Sequence, residues 1–77
     1  MIHIGKLIEE EVHKQDRTIV WFARNLYCER ANIYHIFKRQ SIDTELLYRI
    51  SKLLKHDFFQ YYSHDIKKQI TNDNRNM

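Results

Sequence analysis

The fold is decided by residues 18–39, TIVWFARNLYCERANIYHIFKR, which lie near the middle of the 77-residue chain. Two short stretches with helical periodicity flank a break at residues 27–29. Two helices joined by a tight turn approach closely only where a small residue separates their backbones, and Ala23 is placed for that. The angle between the helices would be filled by apolar residues three, ten and thirteen positions later, Leu26, Ile33 and Ile36. This segment therefore predicts two helices that cross at short range.

Composition extends this to an all-α fold of four to five short helices. The chain has no proline and one glycine, so it lacks the turn chemistry on which β-hairpins and phosphate-cradling loops depend. Hydrophobic residues make up 43% and charged residues 30%, which is typical of a globular chain rather than a disordered one. We expect one domain over residues 1–66, followed by a polar tail over residues 67–77 that frays.

Apolar periodicity also sets the expected helix bounds. It predicts helices over residues 4–14, from about 19, over 30–39, over 44–55, and a short fifth helix of about two turns from Phe58. Side chains able to cap these helices precede them: Asp16 or Thr18, then a residue within 41–43, then Asp57. In the fourth helix, Glu45 is spaced to support Arg49 at i,i+4.

The positive charge is concentrated in the middle of the chain. The net charge is +3, but residues 17–39 alone carry five basic residues against Glu29, whereas residues 1–16 carry two against four acidic residues. A basic segment inside a helical domain suggests a polyanion partner, with nucleic acid first. The alternative is an ordinary solvated face.

The third helix offers one face that suits DNA. At about 100° per residue, Ile33, Ile36 and Phe37 define its inward side. The outer side and its flanks, which we expect to read bases in the major groove, carry Ala31, Tyr34, His35, Lys38, Arg30 and Asn32. Arginine reads guanine, asparagine reads adenine, and an alanine methyl can meet the thymine methyl. Phosphate contacts are expected from Arg17, Arg24 and Arg39.

The spacing from Ala23 to Ile36 resembles the helix-turn-helix of the Cro and lambda-repressor type, also called the XRE family. The resemblance covers most of the chain. Residues 41–47 (SIDTELL) resemble the family's Pro-Ser-x-x-Thr-Leu start of the fourth helix, residues 49–54 (RISKLL) its Lys-Ile-Ala-Lys-Ala-Leu core, and residues 56–59 (HDFF) the start of the fifth helix. The resemblance implies a lambda-repressor-like fold in which the third helix recognises double-stranded DNA. It also implies a small transcriptional regulator that acts by occupying an operator, and we expect a repressor.

Two positions depart from the family's pattern. Tyr27 stands where the family usually has glycine in the turn, so either it tolerates a left-handed or otherwise unusual backbone, at a cost of about 1–2 kcal/mol, or the turn is reshaped. Ile19 stands where the family often has a glutamine that contacts phosphate, so that contact is not carried over. Thr18 or Arg17 could replace it.

The fifth helix is expected to hold a homodimer together. Members of the family usually dimerise, and a short helix cannot hide all the apolar side chains present there. The expected interface residues are Phe58, Phe59, Tyr61, Tyr62 and Ile66.

Other classes of function are disfavoured by the sequence. No set of acid, base and nucleophile indicates an enzyme, no cofactor is expected, and the five histidines lack metal-site spacing. Cys28 is interpreted as a small core residue. The longest apolar run, residues 19–23, is too short to cross a membrane, and the first residues do not resemble a signal peptide, so a cytoplasmic protein is expected. The main alternative is a helical protein-interaction module, such as an adaptor or an antitoxin-like chain.

Overall fold

A computed structural model describes the backbone of residues 1–76 and the side chains of residues 1–72. Five helices follow one another: α1 (Ile4–Lys14), α2 (Ile19–Asn25), α3 (Arg30–Lys38), α4 (Thr44–Leu54) and α5 (Phe59–Asn76). The described backbone contains no strand. The predicted all-α fold of five helices is confirmed.

Side-chain caps begin four of the helices, and at the start of α1 the His3 Nδ1 accepts a hydrogen bond from the Lys6 N–H at 3.2 Å. The Thr18 hydroxyl accepts a hydrogen bond from the Trp21 N–H at 3.0 Å, and the Asp43 carboxylate accepts one from the Leu46 N–H at 2.8 Å. Asp57 accepts one from the Phe59 N–H at 3.0 Å. These bonds satisfy N–H groups that the first helical turn leaves without a partner.

Three helices end in a left-handed residue other than glycine. The φ angles are 57° at Asp16, 57° at Tyr27 and 52° at Lys55, after α1, α2 and α4. A left-handed residue after a helix lets the following N–H groups bond back to its last carbonyls, and the Cys28 N–H donates to the Ala23 oxygen at 3.0 Å. Tyr27 therefore adopts the left-handed backbone expected at the turn, at the steric cost of a side chain there.

We expect Tyr27→Gly to stabilise the protein by about 0.5–1 kcal/mol. Glycine removes the left-handed strain, and its greater freedom in the unfolded chain offsets only part of that gain. Few contacts are lost, because the Tyr27 side chain is 90% exposed. Urea unfolding measures the change, with Tyr48→Gly as the control: Tyr48 is exposed but helical, so glycine there should destabilise. Equal destabilisation by both substitutions would contradict the strain argument.

All five helical segments contribute to one core, and α3 packs on both α1 and α2. The rings of Phe22 and Phe37 are stacked across the α2–α3 contact, with centroids 6.3 Å apart. The buried apolar residues are Ile4, Ile8, Val12, Phe22, Ala23, Leu26, Ile33, Ile36, Phe37, Leu47, Ile50, Leu54 and Phe58. The inward side predicted for the third helix is therefore confirmed.

The N-terminus of α1 is bonded directly to the backbone that follows α3. The Ile4 N–H donates to the Gln40 oxygen and the Gly5 N–H to the Arg39 oxygen, both at 3.0 Å. A Cβ at Gly5 would lie closer than 3.0 Å to the carbonyl oxygens of Ile36, Phe37 and Arg39. The single glycine of the chain therefore serves a close helix contact rather than a turn.

The fifth helix is longer than the sequence predicts. It begins at Phe59 rather than Phe58 and runs for 18 residues to Asn76, so the expected polar tail is helical over residues 67–76, and Met77 lies outside the described residues. No proline or glycine interrupts this stretch, and Ile66 and Ile70 extend its apolar spacing. Every described side chain from Ser63 onward is exposed, so the helix extends past the core.

A polar cluster fixes the start of α5 against α1. The His56 Nε2 and Tyr61 Oη atoms lie 2.8 Å apart, and the His56 Nδ1 lies 3.5 Å from a Glu11 carboxylate oxygen. The Gln15 amide donates to the other Glu11 oxygen at 2.8 Å and to the Leu54 carbonyl oxygen at 2.7 Å. Burial, and then the nearby glutamate charges, raise the pKa of the Tyr61 hydroxyl, which keeps it protonated. The cluster sets the direction in which α5 leaves the core.

Candidate nucleic-acid interface

The outer face of α3 is open along its whole length. All six residues expected to read bases are exposed: Arg30, Ala31, Asn32, Tyr34, His35 and Lys38. The Tyr34 ring is 51% exposed and meets the buried Phe37 ring edge-on, with centroids 6.4 Å apart. This contact limits the Tyr34 ring to one side of α3. This face therefore presents hydrogen-bond donors, hydrogen-bond acceptors and a methyl group on a helix whose opposite side packs against the core.

A depression of about 720 Å³ separates α2 from the start of α3. Ala23 and Ala31 leave room in it, because their side chains are small, and the Arg24 and Arg30 side chains both line it. The full lining is Val20, Ala23, Arg24, Cys28, Glu29, Arg30 and Ala31. The depression thus brings together Arg24, which is predicted to contact phosphate, and Arg30, which is predicted to read a base. Glu29 is the single carboxylate among its lining residues.

The start of α2 carries two further candidates for phosphate contact. The Thr18 hydroxyl oxygen caps α2, which leaves its O–H free to donate. The Arg17 guanidinium carbon lies 4.2 Å from the centre of the Trp21 ring, a cation–π contact that restrains an otherwise exposed side chain. Trp21 itself is half-buried against the core. Both Arg17 and Thr18 are held in place before any ligand arrives.

A second depression, of about 370 Å³, lies on the other flank of α3. It runs between the α2–α3 turn, α3 and α4, and includes the predicted phosphate ligand Arg39. The side chain of Arg49 also lines it, and the Arg49 guanidinium donates to the Leu26 carbonyl oxygen at 3.0 Å. The expected Glu45–Arg49 pair is wrong, since no carboxylate lies within 4.0 Å of Arg49 among the described side chains.

Cys28 lies between the two depressions and lines both. It is half-buried and packs against the core, in agreement with its interpretation as a small packing residue. Burial raises the pKa of the Cys28 thiol, and the positive charge of Arg49 opposes this only in part. The thiol is therefore held in its unreactive, protonated form.

The surface expected to form a dimer differs from the sequence prediction in one residue. Phe58 is fully buried in the chain's own core, because it lies in the connection between α4 and α5 and points inward, so it offers nothing to a partner. Phe59, Tyr61 and Tyr62 are half-buried against the core. Ile66 and Ile70 are 55% and 54% exposed. Ile70 went unpredicted because the fifth helix was expected to be short.

Two other kinds of functional feature are absent from the described part of the chain. No described helix has both the length and the apolar character needed to cross a membrane. No group of three histidine, cysteine, aspartate or glutamate side chains in the described residues could hold a metal ion.

No protein-family model, curated protein or solved structure matches this chain.

Proposed function

We propose that this chain binds double-stranded DNA in a sequence-specific manner and regulates transcription, as a repressor, by occupying an operator. The observation that carries the proposal is the open outer face of α3, with arginines lining a depression on each of its flanks. Among the described side chains, residues 1–72, no carboxylate lies within 4.0 Å of an arginine. The positive groups beside α3 are therefore available to a polyanion.

The dimensions of a helix and of DNA fit this arrangement. An α-helix with its side chains is about 10–12 Å across, and the major groove of B-DNA is about 12 Å wide. With α3 in the groove, Arg30 reads guanine, Asn32 reads adenine, and the Ala31 methyl meets a thymine methyl. Phosphates on either side are contacted by Arg17, Thr18, Arg24 and Arg39. The resemblance to the Cro and lambda-repressor type gives α3 the same role.

A homodimer is part of this proposal, since one recognition helix covers only a few base pairs. The stripe of half-buried Tyr62 and exposed Ile66 and Ile70, spaced four residues apart on α5, is the surface through which two copies would pair. Two copies related by a two-fold axis require an operator with half-sites about 34–36 Å apart.

Selection of bound sequences from a random duplex library tests the proposal. We expect an enriched motif with two-fold symmetry. Because at least three arginines per protomer contact phosphate, a dimer neutralises about six phosphates or more, and the slope of log K against log salt concentration should be about −5 or steeper. Lys68→Gln serves as a control, because it removes one charge from the side of α5 opposite Ile66 and Ile70, on a helix with no proposed DNA contact, and should leave the selected motif unchanged. Failure of the wild-type protein to bind any duplex at low salt would overturn the proposal and favour a protein-interaction module.

A further inference from the structure

The depression on the α4 flank of α3 has only basic groups among its charged residues. It is lined by Leu26, Tyr27, Cys28, Asn32, His35, Ile36, Arg39, Leu46 and Arg49. Of these residues Leu26 and Ile36 are buried, and the polar side chains of Asn32, His35, Arg39 and Arg49 are exposed. No carboxylate oxygen of a described side chain lies within 4.0 Å of the Arg39 or Arg49 guanidinium. The positive charge in this depression is not neutralised by the protein.

Arg49 is held in position by a neutral partner. One of its terminal nitrogens donates to the carbonyl oxygen of Leu26, the C-cap residue of α2, which lies 23 positions earlier in the sequence. A guanidinium has five N–H donors in a planar fork, so one such bond fixes the group and leaves most of its donors free. The side chain is exposed rather than buried. It is therefore a restrained cation with unused donors beside α3.

We infer that Arg49 binds a phosphate of the DNA backbone in this depression, next to the phosphate that Arg39 contacts. The inference rests on the proposed function, because Asn32 and His35, which line the depression, also belong to the face of α3 expected to read bases. The two DNA strands run along opposite sides of a helix placed in the major groove. Arg24 lines the depression on the α2 flank, and Arg49 takes the corresponding role on the α4 flank. A planar fork suits phosphate oxygens better than a point charge does.

Three variants test this assignment. Arg49→Gln removes the charge, Arg49→Lys keeps the charge without the fork, and Lys52→Gln removes a charge from α4 one turn later. Lys52 is a matched control because it is exposed and its ammonium lies 5.0 Å from the centre of the Tyr48 ring, outside the depression. Binding to the selected motif and to an unrelated duplex is measured as a function of salt concentration. Melting curves establish that each variant is folded, since Arg49 also bridges α4 to the end of α2.

Arg49→Gln should weaken binding to both duplexes alike, by about tenfold, and reduce the salt slope by about one unit per protomer. Arg49→Lys should keep the wild-type slope with a smaller loss of affinity, and Lys52→Gln should match the wild type. Wild-type affinity and slope in a folded Arg49→Gln variant would overturn the inference while leaving the proposed function in place. The same holds for a loss confined to the selected motif, which would indicate a base contact. Wild-type protein that binds no duplex would overturn both.

A free phosphate ion is the other source of the same chemistry, and competition distinguishes it. The wild-type protein is titrated with duplex in the presence of inorganic phosphate or chloride at equal ionic strength. For a site that accepts the DNA backbone, phosphate should weaken duplex binding more than chloride in the wild type, and this difference should shrink in Arg49→Gln. Inorganic phosphate that binds the wild type through Arg49, without weakening duplex binding more than chloride does, would assign the depression to a free anion and overturn the inference.

Discussion

Gly5→Ala should lower the free energy of unfolding by about 2–3 kcal/mol, an unusually large effect for the addition of one methyl group. The expected sign is opposite to that of helix propensity, which favours alanine over glycine by about 1 kcal/mol within a helix. Gly5 lies in α1, so propensity alone predicts stabilisation. The close packing of α1 against the end of α3 outweighs helix propensity and sets the sign of the change in stability.

A side chain at position 5 would collide with backbone atoms rather than with another side chain. The added methyl would meet the carbonyl oxygens of Ile36, Phe37 and Arg39, which cannot rotate away as a flexible side chain can. Relief requires α1 and α3 to separate. That movement stretches the hydrogen bonds by which Ile4 and Gly5 donate to the backbone after α3. Overpacking is therefore compounded by the loss of partners for the first N–H groups of α1.

Thermal and urea unfolding of Gly5→Ala and Lys6→Ala would measure the effect. Lys6 is the neighbouring residue in α1 and its side chain is exposed, so alanine there should change stability by no more than about 0.5 kcal/mol. For a domain of this size, the expected loss at Gly5 lowers Tm by about 10–20 °C. A Gly5→Ala variant that melts with the wild type would show that α1 and α3 do not approach as closely as described.

Gly5 also marks the limit of what the sequence predicts about this fold. The helix bounds of α1 to α4 follow from local signals, namely apolar periodicity and the caps Thr18 and Asp43, and they are confirmed to within one residue. The role of Gly5 depends on where the carbonyls of a helix more than 30 residues later come to lie. A lone glycine within a helical pattern indicates only that some packing reason exists.

The length of α5 was missed for a related reason. A polar stretch without proline or glycine contains neither a helix stop signal nor strong support for a helix, so the sequence alone does not determine where a helix that passes Ile66 ends.

The partner of Arg49 could not be predicted from the sequence for the same reason. The local i,i+4 rule selects Glu45 as its partner, whereas the acceptor used is the Leu26 carbonyl, which only the tertiary contact between α2 and α4 supplies. The exposed face of α3 was predicted because periodicity alone determines it.

That face is where the largest loss of sequence discrimination is expected. Arg30 lies in the first turn of α3 and lines the depression toward α2, whereas Arg39 follows α3 and lines the depression toward α4. A base-reading arginine contributes about 1–3 kcal/mol of discrimination, and a phosphate contact contributes equally on every sequence. Truncating Arg30 should therefore reduce sequence discrimination, whereas truncating Arg39 should reduce affinity for every sequence.

Arg30→Ala should weaken binding to the selected motif by about 1–3 kcal/mol and binding to unrelated duplex much less, with discrimination reduced at one or two base pairs. Arg39→Ala should weaken binding to both duplexes alike and lower the salt slope by about one unit per site. Both variants must keep the wild-type melting temperature, because the same helix supplies Ile33, Ile36 and Phe37 to the core. A repeated selection with Arg30→Ala shows which base pairs lose their preference. If the variant instead binds specific and random duplexes with equally reduced affinity, Arg30 contacts phosphate, and base reading by α3 passes to Asn32 or His35.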